Sequence, residues 1–477
     1  MQINQQGYNR AAIIIERQWE SMSIFNNKRL TNQTFKLDIE RMQRGWYSDK
    51  YFENISIMLN ALHAEGYTFQ ADSPRLTPEQ NQHYGGFPMG DIAVEMQWFN
   101  RRKPATLIGG VDKALAMLYH CAGYPNDDGS FTRAWQELEI EAVPDGIFTH
   151  YNGDSTNVQP VLKVRGPYRY FAMLETPTLG ILSRVSRIAT NVYNTLVAAR
   201  GKQVLFFPAR FDVHEVQAAD GYAYDLAVQR YNMDYGAKVR SLVSTDAQGD
   251  WWGGDGGGTV PHAVIACFLG NTTEAMLQFS ATQPPHVPRI ALVDFNNDSV
   301  GTSLAVAKAM FERHQALKAL GNDHEADKFR LFGVRLDTSG NMRDIALDPI
   351  GDPKLDFGVN PRLVVKVRQA LNSAWESWGV ASQWETEAQN YCQNIKIVVG
   401  GGFTPEKIAS FEALGVPADI YGVGSSLMLN ESSTNTDFTA DVVRVKIHGE
   451  WLDMAKIGRR ACDNPDLEPI RFDYMDS

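Results

Sequence analysis

The run Gly256-Gly257-Gly258-Thr259-Val260-Pro261-His262-Ala263 sets three glycines and a single histidine before an apolar, helix-like segment, Ala263 to Leu269. Glycine lets the backbone come close to a ligand, and successive amides can face an anion. An imidazole at the end of such a loop can accept a proton or a phosphoryl group. Taken alone, a glycine-rich loop before a helix is more often a plain turn; its meaning comes from the residues downstream.

Several short apolar runs end in groups that could bind or react. Phe206-Phe207-Pro208-Ala209-Arg210 closes a strand candidate with an aromatic and an arginine. Phe207 could stack on a flat heteroaromatic ring and Arg210 could hold a carboxylate or phosphate with its planar fork; a core phenylalanine and a solvated arginine are the bland alternative. Ala291-Leu292-Val293-Asp294 and Gly333-Val334-Arg335-Leu336-Asp337-Thr338-Ser339-Gly340 are buried-type strands ending in carboxylates. An aspartate so placed can bind ribose hydroxyls or hold Mg²⁺ through water. Arg335 and Asp337 are two residues apart and face the same side of a strand, which suits either a ligand or an internal ion pair. Val398 to Pro405 reads as strand, glycine loop and helix start, with Thr404 as N-cap and Pro405 first in the helix. Gly422-Val423-Gly424-Ser425-Ser426 repeats the arrangement one unit later. Two such loops feeding helix N-termini make a phosphate cradle.

Positioning these groups requires a scaffold. From about 178 onward, strand candidates (Gln203 to Phe207, Ile290 to Asp294, Arg330 to Leu336, Ile395 to Val399, Ile420 to Val423) alternate with helix candidates at 301–321, 361–377 and 404–414. The alternation predicts a parallel sheet covered by helices, with the chemistry at the C-terminal ends of the strands. Residues 1 to about 65 read as mostly helical, through Ile13, Ile14 and Trp19 and then Phe52, Ile55, Met58, Leu59 and Leu62. Residues 68–104 are rich in polar residues, proline and glycine and read as a long loop, and β-like runs follow from about 137 to 170. The expected organisation is α/β throughout: an N-terminal α/β domain over 1–170, a β/α barrel over 171–437, and a closing segment, 438–477, that returns to the first domain.

The 477 residues, 44% of them hydrophobic, suffice for two or three domains. A net charge of −11 argues against generic binding to nucleic acid or to an anionic membrane. Cys121, Cys267, Cys392 and Cys462 are too far apart in sequence for a Cys-x-x-Cys site, and read as free thiols of a cytoplasmic protein. The first thirty residues carry Glu16, Arg17, Glu20, Lys28 and Arg29 and do not form the apolar core of a leader, and no apolar run reaches membrane-spanning length.

From about residue 43 to 460 the chain resembles the type II phosphoribosyltransferases, and among them the nicotinate phosphoribosyltransferases. The resemblance is carried by Arg44 to Phe52 with its Ser48-Asp49-Lys50-Tyr51-Phe52, by Val164-Arg165-Gly166-Pro167-Tyr168, Leu174-Glu175-Thr176 and Gly258-Thr259-Val260-Pro261-His262-Ala263, by Arg335-Leu336-Asp337-Thr338, and by the loops at Gly401-Gly402 and Gly422 to Ser426. It implies an irregular β/α barrel with an α/β N-terminal domain, and transfer of a phosphoribosyl group from phosphoribosyl pyrophosphate to nicotinate with coupled ATP hydrolysis, in the salvage of pyridine nucleotides. On that resemblance His262 would be the phosphoryl acceptor from ATP. Tyr51, reaching across a homodimer interface, and Phe207 would sandwich the pyridine ring, with Arg210 near its carboxylate. Arg335 and Asp337 would hold the ribose, and Asp294 would help place Mg²⁺. Gly402, Gly422, Gly424 and Ser425 would form the phosphate cradle, with Glu175 and Lys456 as further substrate contacts.

The departures are local. Pro208 and Phe211 stand where the family has a glycine and a second arginine, which leaves the base open to nicotinamide or another heteroaromatic ring. Gln248 to Asp255, with Trp251-Trp252, and the 68–104 stretch have no obvious counterpart. A non-catalytic nucleotide-binding paralogue is the reading from another class; the joint presence of His262, Arg335 and Asp337 counts against it.

Overall fold

The structure is a computed structural model; it describes residues 24–475 except 27 and 71. The helical reading of Ile13, Ile14 and Trp19 lies outside the described residues. The strands of the two main sheets, in chain order, are β1 (Ala93–Asn100), β2 (Glu139–Ala142), β3 (Leu162–Pro167), β4 (Gln203–Phe206), β5 (Ile290–Leu292), β6 (Gly333–Leu336), β7 (Lys396–Val399), β8 (Ile420–Val423), β9 (Phe438–Ile447), β10 (Glu450–Asp453) and β11 (Glu468–Pro469). The chain divides into two compact units. One comprises Met1–Asn191, Tyr222–Arg230 and Leu429–Ser477, the other Val192–Gly221 and Tyr231–Met428.

The first unit is built on a six-stranded sheet in the order β10-β9-β1-β3-β2-β11, every pair antiparallel. Its central strand, β1, corrects the expectation of a long loop over 68–104. That stretch holds a helix, Pro78–Tyr84, opened by a capping box at Thr77, and then β1 itself. The polar residues of β1 are buried and paired. Glu95 is 1% exposed and accepts from Arg165 Nε at 2.6 Å and from Arg444 Nη1 at 3.4 Å. Gln97, fully buried, donates to the Arg460 carbonyl and accepts from the Cys462 amide, each at 3.0 Å. Trp98 on the same strand donates its indole N–H to Thr178 at 3.1 Å. Buried polar groups of this kind are tolerated because each finds its partner.

The second unit is built on a five-stranded sheet in the order β4-β8-β7-β6-β5, every pair parallel. Its strands are short apolar runs, as expected where both faces of a sheet are covered, and Ala291, Leu292, Val334, Leu336, Val398, Val399, Tyr421 and Val423 are fully buried. Helices Ser299–Ala319, Pro361–Ser373 and Pro405–Ala413 follow β5, β6 and β7. Asn360 and Thr404 cap the latter two, with proline first in each helix. Two single-residue parallel bridges, Phe206 to Val243 and Val243 to Gly256, extend the sheet beyond β4. Among the described residues the ladder therefore runs from Gly256 to β5 and has two ends, where the sequence led to the expectation of a barrel.

All four cysteines are free: Cys121, Cys392 and Cys462 buried, Cys267 exposed. Among the described residues no helix is long and apolar enough to cross a membrane.

Candidate active site

In a parallel sheet the strand ends share one edge, and the residues just beyond those ends line a crevice. Here those residues are Phe207 after β4, Asp294 after β5, Asp337 after β6, Gly400–Gly402 after β7 and Gly424 after β8.

His262 is the first residue of a short helix, His262–Cys267, with Pro261 in extended conformation as its N-cap. That placement leaves the imidazole 45% exposed, with Nε2 3.1 and 3.2 Å from the two carboxylate oxygens of Asp294, itself 9% exposed. A carboxylate so placed holds the Nε2 proton and leaves Nδ1 with the free lone pair. Of the three preceding glycines, Gly256 is demanded by packing: a Cβ there would lie 2.6 Å from the Thr245 carbonyl carbon. Around Gly258 a Cβ would meet nothing within 4 Å.

Arg335 lies inside β6, with Nη2 4.0 Å from Asp337 Oδ2, too long for a hydrogen bond. Its Cζ stands 6.0 Å from the centroid of the Phe207 ring, and its buried Nε has no hydrogen-bond partner among the described residues. Burial raises the Asp337 carboxyl above the usual carboxylate range; Asp294 pushes the same way, while Arg335, His262 and Arg210 oppose it. Arg335, Asp294, His262 and Arg210 all lie near enough to act on the Asp337 charge. Gly400 lets the chain pass close to Asp337, since a Cβ there would sit 2.9 Å from Oδ1.

Phe207 and Phe211 flank the turn Pro208–Arg210. A Cβ at Gly422 would lie 2.8 Å from the Phe207 ring, and one at Gly424 would lie 2.6 Å from the Phe211 ring. The two glycines thus make room for two rings. Gly401 and Gly402, at φ +80° and +73°, occupy the left-handed region that favours glycine. Ser425 is exposed, and the neighbouring Ser426 hydroxyl donates to the Phe403 carbonyl at 2.8 Å, tying one loop to the other.

No protein-family model matches the chain. It is 25% identical over 325 residues to nicotinate phosphoribosyltransferase of Bos taurus, covering 64% of this chain and 55% of that protein. It is 24% identical over 308 residues to the Homo sapiens enzyme of the same name, covering 61% and 52%. The chain is a distant homologue of the nicotinate phosphoribosyltransferases. The alignments span about half the length of these relatives. In fold, it matches the crystal structure of nicotinate-nucleotide pyrophosphorylase from Pyrococcus furiosus with a TM-score of 0.57 at 24% identity, covering 89% of this chain and 80% of that one. It matches human nicotinic acid phosphoribosyltransferase with a TM-score of 0.51 at 16% identity, covering 85% and 76%. The architecture is therefore the mixed α/β fold of the type II phosphoribosyltransferases.

Three of the expected contacts of this phosphoribosyltransferase homologue lie in the first unit. Tyr51 is 59% exposed and its hydroxyl is 3.3 Å from Asp49 Oδ2. The Asp49 amide donates to the Thr176 hydroxyl oxygen at 3.0 Å, and the same hydroxyl donates to Asp49 Oδ2 at 3.0 Å, so the Ser48–Phe52 and Glu175–Thr176 motifs meet. Burial pushes the neighbouring Glu175 carboxyl up to about 8, reinforced by Asp441 and Asp49. Lys456 is exposed. Sequence reasoning passed over Phe211, Gly400 and Asp49. Phe211 was noted only as a missing arginine, and nothing in its own run signals that Gly424 accommodates its ring.

Among the described residues no group of three or more histidines, cysteines, aspartates or glutamates could hold a metal by itself. Asp294 raises the Asp337 carboxyl through its charge, and two carboxylates of this kind could hold a magnesium ion whose shell substrate phosphates and water complete.

Proposed function

We propose that the chain is a nicotinate phosphoribosyltransferase that couples ATP hydrolysis to the formation of nicotinate mononucleotide and pyrophosphate from nicotinate and phosphoribosyl pyrophosphate. The observation that supports it most is the exposed His262 held by Asp294 beside the Arg335–Asp337 pair at one edge of a parallel sheet.

Displacement of pyrophosphate builds positive charge on the anomeric carbon and negative charge on the leaving group, so the residues have to position and to balance charge. Arg335 and Asp337 hold the ribose, with Asp337 accepting from its hydroxyls. Gly402, Gly422, Gly424 and Ser425 offer backbone to the 5-phosphate. Mg²⁺, held by Asp294 and Asp337, would supply neutralising charge at the pyrophosphate when bound. His262 takes a phosphoryl group from ATP at Nδ1, while Asp294 keeps the Nε2 proton in place and stabilises the charge that develops on the ring. Phe207 offers a face to the pyridine ring, and Arg210, exposed and without an ion pair among the described residues, is the cation for its carboxylate. A homodimer in which Tyr51 completes the partner's site, with Glu175 and Lys456 as further contacts, belongs to the same proposal.

The test is product formation from phosphoribosyl pyrophosphate and Mg²⁺, with nicotinate or nicotinamide offered separately, with and without ATP. Faster formation of nicotinate mononucleotide with ATP is expected. A second base remains in view for one reason: Phe211 supplies a ring where a second cation would sit. Product from nicotinamide alone, or from neither base, overturns the assignment.

A further inference from the structure

The Gln248–Asp255 insertion, which the family resemblance leaves without a role, is a tightly folded knot. A Cβ at Gly249 would lie 1.7 Å from the Gly254 carbonyl oxygen, and one at Gly254 would lie 2.1 Å from the Trp252 ring. Trp252 donates its indole N–H to the Gln248 carbonyl at 2.8 Å. A Cβ at Gly221, on the helix Gln217–Tyr235, would lie 1.8 Å from that same carbonyl. Bare backbone meets bare backbone here, so the knot is held rigidly against the helix.

One side chain at the start of that helix reaches both ways. Gln217 Nε2 donates to the carbonyl of Ala209, inside the Pro208–Arg210 turn, at 3.2 Å. Its Oε1 accepts from the Thr245 hydroxyl at 2.8 Å. Thr245 opens the capping box of the knot, and the next residue, Asp246, accepts from the amide of Gly256 at 2.9 Å. Gly256 begins the loop that ends in His262. A carboxamide is suited to this place because it carries a donor and an acceptor at the same end.

We propose that Gln217 is a positioning residue: with Thr245 and Asp246 it forms a hydrogen-bonded strut that holds the Pro208–Arg210 turn and the His262 loop in one fixed relation. Resting on the function proposed above, the strut ties recognition of the base to phosphoryl acceptance at His262. A base seated on the turn then finds the histidine loop already in register, and the phosphohistidine passes its phosphoryl group to water only in turnovers that form product.

The test compares full-length wild type with Gln217→Met, which keeps the length and removes both polar atoms, Thr245→Val, which removes the hydroxyl, and Thr245→Ser, which restores it. Hydrogen exchange by mass spectrometry over 254–259 and 208–212 is the first readout, and ATP consumed per mononucleotide formed is the second. Loss of one neutral hydrogen bond predicts roughly tenfold faster exchange in both segments for Gln217→Met and Thr245→Val. The ATP-to-product ratio should rise about threefold on the same ground, with Thr245→Ser like wild type. Unchanged exchange in either segment overturns the strut. Faster exchange spread over the whole chain, or an unchanged ATP-to-product ratio, overturns the positioning role. If the wild type converts no base, the transferase reading fails, and the exchange data alone still decide whether the strut exists.

Discussion

In the antiparallel sheet, Glu95 and Lys163 are 1% and 2% exposed, and each meets an opposite charge: Glu95 lies 2.6 Å from Arg165 and Lys163 lies 2.5 Å from Asp463. In the parallel sheet, charge collects at the strand ends and is left incompletely matched. Arg335 stands 4.0 Å from Asp337 with its Nε unpartnered among the described residues, and His262 is 45% exposed. The first arrangement satisfies the charges within the fold and serves stability. The second keeps binding capacity in reserve, as the proposed site for charged substrates requires. A charged residue in this sequence therefore has two meanings, and completeness of pairing separates them.

Substitutions should divide along that line. The largest effect expected is on catalysis: His262→Ala should abolish stimulation by ATP while leaving slow ATP-independent transfer. Because the side chain is half exposed, its unfolding midpoint should move little; a stability loss as large as that of a core substitution would break the distinction. Next, Glu95→Ala should cost about 3 kcal/mol in urea unfolding, since it leaves Arg165 and Arg444 facing a buried gap; a value near zero would show that the buried pairing is dispensable. Gly422→Ala should cost about 1–3 kcal/mol by pressing on the Phe207 ring, and in steady-state kinetics it should raise KM for the base more than that for phosphoribosyl pyrophosphate. Equal changes in both constants would remove Phe207 from the base site.

The smallest effect is pH-dependent and concerns Glu175. Its folded carboxyl titrates at about 8, above the ordinary value of 4.5. The folded state thus binds the proton more tightly than the unfolded state does between those values. Its contribution is fully present below about 4.5 and is lost as pH rises through about 8. Glu175→Gln, which cannot ionise, should therefore gain in thermal midpoint relative to wild type as pH is raised from 5 to 8. A constant difference across that range would contradict the shifted carboxyl.

Much of the parallel sheet that carries the candidate site is legible in the sequence. The strands ending in Phe207, Asp294, Asp337 and the two glycine loops are short apolar runs followed by polar or glycine residues, and that local pattern survives folding because parallel strands are buried on both faces. Thr404 and Pro405 announce their helix for an equally local reason. The stretch from 68 to 104 misled because β1 alternates polar and apolar residues, and the partners that make Glu95 and Gln97 acceptable in a core are supplied by Arg165, Arg444 and residues 460–462, distant in sequence.

Which residue types stand at the ends of the parallel strands is legible in the sequence alone, because the hydrophobic run, the glycine loop and the helix cap are all written within a few consecutive residues. Only the tertiary structure decided that Asp294 holds His262, that Gly422 and Gly424 make room for Phe207 and Phe211, and that Gln217 links Ala209 to Thr245. Those relations depend on distances between segments separated by tens to hundreds of residues, and the packing of the whole chain sets such distances.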